Sequence, residues 1–186
     1  MAEERLLSGA VLRADIAWLE KNGLEVAVRD RLPPDTQALL DHPPLPMSWV
    51  PARHIDALLD AVLQIGGEDK LLQLGEETTQ ASFGPVLRPL LRTLVSLFGA
   101  SPAALFSRID SALAVFLKGA SFTYEARGDR EGVLHLRTVD RPLLAFHLQW
   151  KGTLRFTFDV ANAKGAVNSC VVDPDGRGAV YSVSWT

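Results

Sequence analysis

The sequence predicts an α+β fold in which an N-terminal layer of helices packs on a small antiparallel sheet. In residues 6–118 the apolar side chains recur mostly every three or four positions, the spacing of an amphipathic helix. Residues 121–139 and 166–185 each contain two alternating segments around a turn with Gly and Asp, which is typical of a β-hairpin. The two hairpins can pair into one sheet, with a helix between them in the chain and the helical layer on one face.

Three short helices are predicted in the first quarter of the chain. Residues 6–14 are expected to be extended, and Asp15 to cap a helix that ends at Lys21 before Asn22 and Gly23. Residues 24–32 and 35–42 also have helical spacing, and Pro33 and Pro34 separate them. Three prolines exclude regular structure from about residue 42 to residue 47.

The most regular predicted helix runs from Ser48 to Gly67, with Pro51 in its first turn. Asp56 and Asp60 are expected on its solvated side. Its apolar positions form a broad face that is expected to be buried: Ile55, Leu58, Leu59, Val62, Leu63 and Ile65. A more polar helix is predicted over residues 69–82.

The segment from Pro85 to Phe98 is apolar around most of a helical circumference, so it is predicted to lie in the middle of the domain. Its helix is expected to start at Pro89, because a proline deeper inside a helix costs about 3 kcal/mol. Arg88 and Arg92 lie one turn apart on its narrow polar side. A further helix is predicted from Ser101, as its cap, to Phe116.

Residues 142–162 fit two patterns. Phe146, Trp150, Leu154 and Phe158 repeat every four residues, as in a helix, whereas residues 154–160 alternate, as in a strand. Pro142 at the start and the Lys164–Gly165 ending favour a helix. The chain is therefore predicted to be a single domain, residues 1–186, mainly helical over 1–118 and hairpin–helix–hairpin over 119–186.

Composition excludes several classes of protein. With 47% hydrophobic and 22% charged residues in a chain of 186, a folded soluble domain is expected. The net charge of −3 is too acidic for general nucleic-acid binding. No apolar run is long enough to span a membrane, and the N-terminus lacks the pattern of a secretory signal. Because Cys170 is the only cysteine, a disulfide within the chain is excluded, and a reducing cytoplasm is the expected location.

Motifs that would carry chemistry are absent from the sequence. HExxH, GxSxG, GxGxxG and the P-loop pattern do not occur, and the four histidines lack the spacing of metal ligands on one helix. No metal or cofactor is therefore predicted. Cys170 lies in a β-branched strand and is expected to be a buried apolar thiol. Arg88 and Arg92 could bind an anion, but pairing with the acids of residues 69–82 is the more frequent outcome for such arginines.

A ligand pocket is one of two interpretations of the aromatic residues, which are expected to surround the junction between helices and sheet. Core packing explains them equally well. The residues that would line such a pocket are Trp49, His54, Arg88, Arg92, Tyr124 and Trp150.

Four segments resemble a myxobacterial family of roughly two-hundred-residue paralogous proteins of unknown function. In chain order they are SWVPARHIDALLDAVLQIGG, LRPLLRTLVSLFGASPAALFSRIDSAL, WKGTLRFTFDVANAKGAV and GAVYSVSW. The resemblance extends from about Gly9 to Trp185. That family is distantly similar to the vinyl-reductase-like ligand-sensing domain, the haem-nitric-oxide-binding domain and the transport-particle subunit. It implies helices against a small antiparallel sheet, in proteins that bind ligands or partners and are mostly not enzymes in this domain.

The site residues of those relatives do not transfer to this chain. No histidine here matches a haem ligand, and the lone Cys170 departs from the cysteine-bearing ligand sensors. The leading hypothesis is a cytoplasmic, non-enzymatic binding or signalling module. It would act through a protein partner, through self-association, or through an apolar small molecule held between helices and sheet. The alternative is a redox sensor or enzyme that uses Cys170 or the Arg88 and Arg92 pair.

Overall fold

The computed structural model describes residues 4–98 and 101–186, and for residues 83–98 it describes the backbone alone. Seven helices and seven strands lie in these ranges. In chain order they are β1 Leu6–Ser8, α1 Gly9–Lys21, α2 Glu25–Arg29, α3 Pro34–Asp41, β2 Trp49–Pro51, α4 Ala52–Phe98, α5 Pro102–Phe106, α6 Ile109–Leu113, β3 Leu117–Lys118, β4 Ala120–Gly128, β5 Glu131–Thr138, α7 Leu144–Ala161, β6 Gly165–Val172 and β7 Gly178–Trp185.

The two predicted hairpins form one antiparallel sheet with the strand order β4-β5-β7-β6. β5 and β7 join the hairpins, with Leu134 opposite Tyr181, and both of these side chains are fully buried. The α+β class and the pairing of the two hairpins are confirmed. The ambiguous segment is the helix α7, as predicted from its spacing of four.

A second, three-stranded sheet with the order β2-β1-β3 was not predicted. In its centre, Leu7 of β1 lies opposite Val50 on one side and Leu117 on the other. The strand β2 occupies Trp49–Pro51, so the predicted helix from Ser48 begins at Ala52 instead. The paired residues are far apart in the chain, and strands of two or three residues are too short to show a periodicity. The sequence therefore does not predict this sheet.

Helix α1 begins at Gly9, so the prediction of an extended segment over residues 6–14 is wrong beyond Ser8. A Cβ atom at Gly9 would overlap the carbonyl oxygen of Leu45, and the helix can start this close to the proline-rich bend because the residue is glycine. Asp15 is consequently an interior residue of α1, and it is buried. The predicted role of Asp15 as an N-cap is therefore wrong.

Helix α4 is interrupted at Gly67, where φ is 70° and ψ is −171°. This is the position at which the sequence predicts the end of one helix and the start of another. The backbone is helical through Pro85 and Pro89, so the predicted start at Pro89 is wrong. The predicted apolar circumference and polar stripe of the Pro85–Phe98 segment lie outside the described side chains.

The predicted helix over residues 101–116 is two short helices. Ser101 caps α5 as expected, since its Oγ accepts a hydrogen bond from the Ala104 amide at 3.2 Å. Arg108, with φ of −117°, then separates α5 from α6. The break allows α6 to turn beneath β4, where the Asp110 carboxylate accepts a hydrogen bond from the Phe122 amide at 2.8 Å.

Helix α7 packs on α4 on one side and on β6 and β7 on the other. Helices α4 and α7 approach closely where each has a glycine. A Cβ atom at Gly75 would overlap the carbonyl oxygen of Gln149, and one at Gly152 would overlap that of Leu72. Among the described residues, the buried apolar side chains of the helices and of both sheets belong to a single cluster. No described helix has the length and apolar character that crossing a membrane would require.

Candidate functional site

A cavity of about 30 Å³ lies where α1, α4 and α7 meet the three-stranded sheet. We call it the Asp15 cavity. Its apolar wall includes Leu7, Ile55, Leu59, Phe116 and Phe146. Its polar wall is formed by Asp15, Thr78, Thr79, Ser82, Gln149 and Thr153. Among the described residues of the wall, Asp15 is the only one with an ionisable side chain.

A second cavity, of about 50 Å³, lies between α4, α5, α6 and α7. We call it the Ile109 cavity. Its wall is apolar except for threonines and the indole NH of Trp150, and it includes Leu105, Ile109, Ala112, Phe156 and Val160. The two cavities are neighbours, because both are lined by Thr79, Leu113, Trp150 and Thr153.

Asp15 is 1% exposed, and among the described residues its Oδ1 atom has no hydrogen-bond partner. It shares one face of α1 with Leu12, Ile16 and Leu19, all of them buried. Burial raises the pKa of Asp15 to about 7, and the Thr78 hydroxyl opposes this with a smaller effect. At neutral pH the carboxyl group is therefore close to half ionised within an enclosed space.

The threonines of α4 line the cavity beside this carboxyl, and their hydroxyl groups also bond to the backbone of α4. Thr78 donates its hydroxyl hydrogen to the Leu74 carbonyl at 2.8 Å, and Thr79 donates to the Gly75 carbonyl at 2.5 Å. The Thr78 hydroxyl also interacts with the Asp15 carboxyl, and the Thr79 hydroxyl oxygen lies 3.2 Å from that of Thr153. The Ser82 hydroxyl and the Trp150 indole NH are buried atoms without a partner among the described residues. The polar wall therefore has unused hydrogen-bonding capacity at the Asp15 Oδ1 atom, at the Ser82 hydroxyl and at the Trp150 indole NH.

Among the predicted ligand residues whose side chains are described, Trp150 lies in the wall of both cavities. It is 5% exposed, and its ring lies 4.7 Å from the ring of Phe122 and 6.0 Å from that of Phe146, measured between centroids. The Arg5 guanidinium lies over the Phe146 ring, with its Cζ atom 4.1 Å from the ring centroid. Trp150 forms part of the boundary between the Asp15 cavity and the Ile109 cavity, with aromatic rings supporting it from the sheet side and from α7.

The other predicted residues with described side chains lie away from both cavities. Trp49 is in β2, and the Lys118 ammonium lies 4.0 Å from its ring centroid. His54 is buried at the start of α4, and its Nδ1 lies 2.8 Å from the Thr36 hydroxyl. Burial, reinforced by Arg53, lowers the pKa of His54. A neutral His54 that is bonded to α3 is a structural group in this arrangement.

Tyr124 packs beneath the hairpin of β4 and β5. Its ring stacks on Phe106 at 5.8 Å between centroids, and a Cβ atom at Gly132 would overlap it. Its hydroxyl is buried without a partner among the described residues, and burial raises its pKa. Arg88 and Arg92, the remaining predicted ligand residues, lie outside the described side chains.

Cys170 is half-buried on β6 and faces α7. Its Sγ lies 3.7 Å from the His147 carbonyl oxygen, which also accepts a hydrogen bond from the Tyr181 hydroxyl at 2.9 Å. Burial raises the pKa of the Cys170 thiol, so the thiolate is disfavoured at neutral pH. His147 is buried with Nε2 3.2 Å from the Gly176 carbonyl oxygen, and burial lowers its pKa. These contacts describe a packed thiol and a packed imidazole.

Sequence reasoning missed the acid that lines the cavity. Asp15 was assigned to a helix start, although Leu12, Asp15, Ile16 and Leu19 have the spacing of one helical face. That spacing was the available signal. In the described part of the chain, no three residues among His, Cys, Asp and Glu are grouped so that they could hold a metal ion.

The architecture of this protein is a layer of helices packed on an antiparallel sheet, and the two cavities are lined mainly by the helices. No family model matches the chain, and no curated protein matches it in sequence. The fold is that of H-NOX domains. The structure is similar to the Fe(II) unliganded H-NOX protein from K. algicida, with a TM-score of 0.72, 12% identity and 97% of both chains covered. A point variant of that protein matches with a TM-score of 0.73 and 13% identity, and again 97% of both chains is covered.

A second H-NOX structure also matches over nearly the whole chain. It is the oxygen complex of an oxygen-binding H-NOX domain related to soluble guanylate cyclases, with a TM-score of 0.63, 10% identity, and 97% of this chain and 95% of that chain covered. At these identities the likeness establishes the fold alone. It agrees with the distant relation to the haem-nitric-oxide-binding fold that the sequence predicts. Membership of the myxobacterial family stays a prediction.

The residues of this chain do not fit a haem between the helices. Haem iron in proteins is held by His, Cys, Tyr or Met side chains. The described walls of both cavities contain none of these four residue types. The four histidines of the chain lie elsewhere: His42 in the proline-rich bend, His54 on Thr36, His135 on β5 and His147 on Gly176.

Proposed function

We propose that this protein is a non-enzymatic binding or signalling module that holds a small molecule in the Asp15 and Ile109 cavities without haem. The observation that carries the proposal is the pair of adjoining cavities at the junction of α1, α4, α6 and α7, one of which contains a buried carboxyl whose Oδ1 atom has no partner among the described residues. An unpartnered buried polar group is costly, and such a cost is commonly retained where a ligand or an ordered water satisfies the group.

The size of the cavities restricts the ligand. An apolar cavity of about 150 Å³ is large enough for benzene. Cavities of about 30 and about 50 Å³ instead suit a molecule of a few non-hydrogen atoms. The most efficient small ligands gain about 1.5 kcal/mol per non-hydrogen atom, so four atoms correspond to a Kd of tens of micromolar at best.

The H-NOX structures of the same fold supply the analogy for binding a small molecule, and the residues of the cavity walls argue that this chain binds its ligand without haem iron. Two of the neighbouring structures are described as Fe(II) unliganded and as an oxygen complex. Here the described cavity walls offer no axial ligand to iron. Titration of the purified protein with haemin is expected to give only the weak, broad absorption of non-specific binding. A sharp Soret band at one haem per chain would overturn the haem-free proposal.

Binding rather than catalysis is proposed because the nucleophilic groups are packed against backbone. The Cys170 thiol faces the carbonyl oxygen of His147. Burial raises the pKa of this thiol and lowers the pKa of the His147 imidazole, so the neutral form of each group is favoured. A cytoplasmic location suits the single free cysteine.

Signal output is proposed to pass through α7, since Trp150 and Thr153 line the cavities and the same helix packs on the sheet. Ligand binding would move α7, and a partner protein or a second copy of this chain would bind according to the position of this helix. Size-exclusion chromatography with light scattering, with and without ligand, tests self-association. An unchanged monomer at tens of micromolar would leave a different partner as the receiver.

The ligand is best sought by native mass spectrometry of freshly purified protein, followed by thermal-shift screening of small alcohols, ketones and amines. The substitution Ala112→Phe should fill the Ile109 cavity and abolish binding. Ala114→Phe is the matched control. Ala114 is two residues further along the chain, is exposed to solvent and lines neither described cavity. Equal binding by both variants would place the ligand elsewhere and contradict the proposal.

A further inference from the structure

The Asp15 cavity and the Ile109 cavity differ in chemistry although they adjoin. The first contains a carboxyl group and several hydroxyl oxygens, whereas the second is apolar apart from threonines and the indole NH of Trp150. A molecule that occupied both would need one polar end and one apolar end. The shared residues Thr79, Leu113, Trp150 and Thr153 would lie alongside its middle.

The hydrogen-bonding capacity of the Asp15 cavity selects the polar end. The hydroxyl groups of Thr78 and Thr79 are already engaged, by backbone carbonyls of α4, by the Asp15 carboxyl and by the Thr153 hydroxyl. Asp15 contributes an acceptor atom without a partner among the described residues. The Ser82 hydroxyl and the Gln149 amide can each accept or donate a hydrogen bond. An ammonium group has three donors and no acceptor, and it complements such a wall better than a carbonyl or a carboxylate does.

Charge leads to the same choice. Asp15 is the ionisable side chain of the described wall, and the charged residues close to it are already paired. On the outer side of α1 and α4, Lys21 and Glu77 form an ion pair of 2.9 Å at the surface. Behind Phe146, Arg5 is paired with Asp56 at 2.6 Å and with Asp140 at 2.5 Å. None of these pairs supplies the Asp15 carboxylate with a cation.

We propose, on the basis of the ligand-binding function above, that the two cavities bind a small primary alkylammonium ion, with its ammonium group on Asp15 and its alkyl chain in the Ile109 cavity. The inference rests on the geometry of the cavities, on the Asp15 Oδ1 atom without a partner among the described residues, and on the lack of a cationic side chain in the described wall. The ligand is identified by its chemistry, a cationic head of one nitrogen and a chain of a few carbons.

Protonation of Asp15 then controls binding. An alkylammonium ion remains charged across neutral pH, as a lysine side chain does. The carboxyl group, with its pKa of about 7, is mostly neutral near pH 6 and mostly ionised near pH 8. Affinity for the cation should therefore rise by about tenfold between these values. A neutral ligand that accepts a hydrogen bond from Asp15 would show the opposite direction.

The test is a titration of the full chain with propylamine and with 1-propanol, followed by NMR chemical shifts near pH 6 and pH 8. Propylamine is expected to bind near pH 8, to bind about tenfold more weakly near pH 6, and to bind more tightly than 1-propanol. Asp15→Asn should lose at least tenfold in affinity for propylamine near pH 8. Glu20→Gln, an exposed carboxyl-to-amide change on the same helix, should bind as the unsubstituted chain does.

A second measurement avoids any dependence on the folding of the variant. The ¹³C shift of the Asp15 carboxyl in the unsubstituted chain reports its pKa, which propylamine should lower. Equal binding of 1-propanol and propylamine, or tighter binding near pH 6, would overturn the alkylammonium inference and leave the small-ligand function standing. If neither compound binds at about 10 mM, far above the tens of micromolar that are the best Kd for four atoms, the cavities hold water only and both proposals fall.

Discussion

The guanidinium of Arg5 is buried in full, with its Nη2 atom 2.6 Å from Oδ2 of Asp56. Its Nε atom lies 2.5 Å from Oδ1 of Asp140, and its plane lies over the Phe146 ring. One side chain thus joins the start of the chain to α4 and to the segment that precedes α7. The prediction that Asp56 lies on a solvated side is wrong, because this partner arrives from a distant part of the sequence.

Breaking this buried pair should destabilise the fold strongly. Arg5→Met leaves Asp56 buried and unpaired, and removal of one partner of a buried pair typically costs about 3–5 kcal/mol. Arg53→Met is the control, because the Arg53 pair with Glu4 is at the surface and is expected to contribute about 0–1 kcal/mol. Urea denaturation at neutral pH measures both. A loss below about 1 kcal/mol for Arg5→Met would contradict the assigned role.

Asp15 should make the free energy of unfolding depend on pH. Its pKa in the folded protein is about 7, above the ordinary value of 3.8, so the folded state holds the proton more tightly than the unfolded chain. The contribution is therefore fully present below about pH 4, falls as the pH rises towards 7, and is level above that. The pKa difference corresponds to on the order of 4 kcal/mol.

The variant Asp15→Asn removes this titration while keeping the shape of the side chain. Relative to the unsubstituted chain, its free energy of unfolding should increase progressively between about pH 4 and pH 7. Denaturation curves at several pH values measure the difference. Glu20→Gln, which is exposed, should show no such trend. A difference for Asp15→Asn that is constant with pH would mean that the carboxyl group is not shielded as the structure indicates.

The close crossing of α4 and α7 should not tolerate an added methyl group. Gly152→Ala places a Cβ atom against the Leu72 carbonyl and the Glu76 amide. Overpacking typically costs about 1–3 kcal/mol, more than the gain of up to about 1 kcal/mol in helix propensity. Arg155→Ala, at an exposed position of α7, should change the stability by about 0.5 kcal/mol or less. Stabilisation by Gly152→Ala would show that the helices can separate at this point.

Cys170 should react slowly in the native protein. Burial raises the pKa of its thiol, so the reactive thiolate is scarcer at neutral pH than in a free cysteine. Labelling with a disulfide reagent is expected to be at least about tenfold slower than in the same chain unfolded in urea. Native labelling at the unfolded rate would restore the redox-sensor alternative.

Local pattern was sufficient for most of the secondary structure. The spacing of four through Phe146, Trp150, Leu154 and Phe158 predicted α7 correctly, and the turn residues placed both hairpins. The strands β1, β2 and β3 were missed because two or three residues cannot show a period. The break between α5 and α6 was also missed, since the apolar spacing continues across Arg108.

The candidate site could be predicted only in part. Trp150, one of the predicted ligand residues, lies in the wall of both cavities, and its contact with a ligand stays a prediction. Asp15 was missed because a polar residue near a helix start is usually a cap, and the true start at Gly9 depends on the bend at Leu45. Whether Trp49, His54, Arg88, Arg92 and Tyr124 contact a ligand stays a prediction.

The sequence by itself determined the α+β class, the two hairpins and the helix α7 between them, because these follow from periodicity and turn chemistry within short windows. Only the tertiary structure decided which polar residues are buried. Asp56 is enclosed because Arg5 reaches it, and Asp15 is enclosed because α4 and α7 close over α1. Desolvation depends on neighbours far apart in the chain, and no local pattern contains that information.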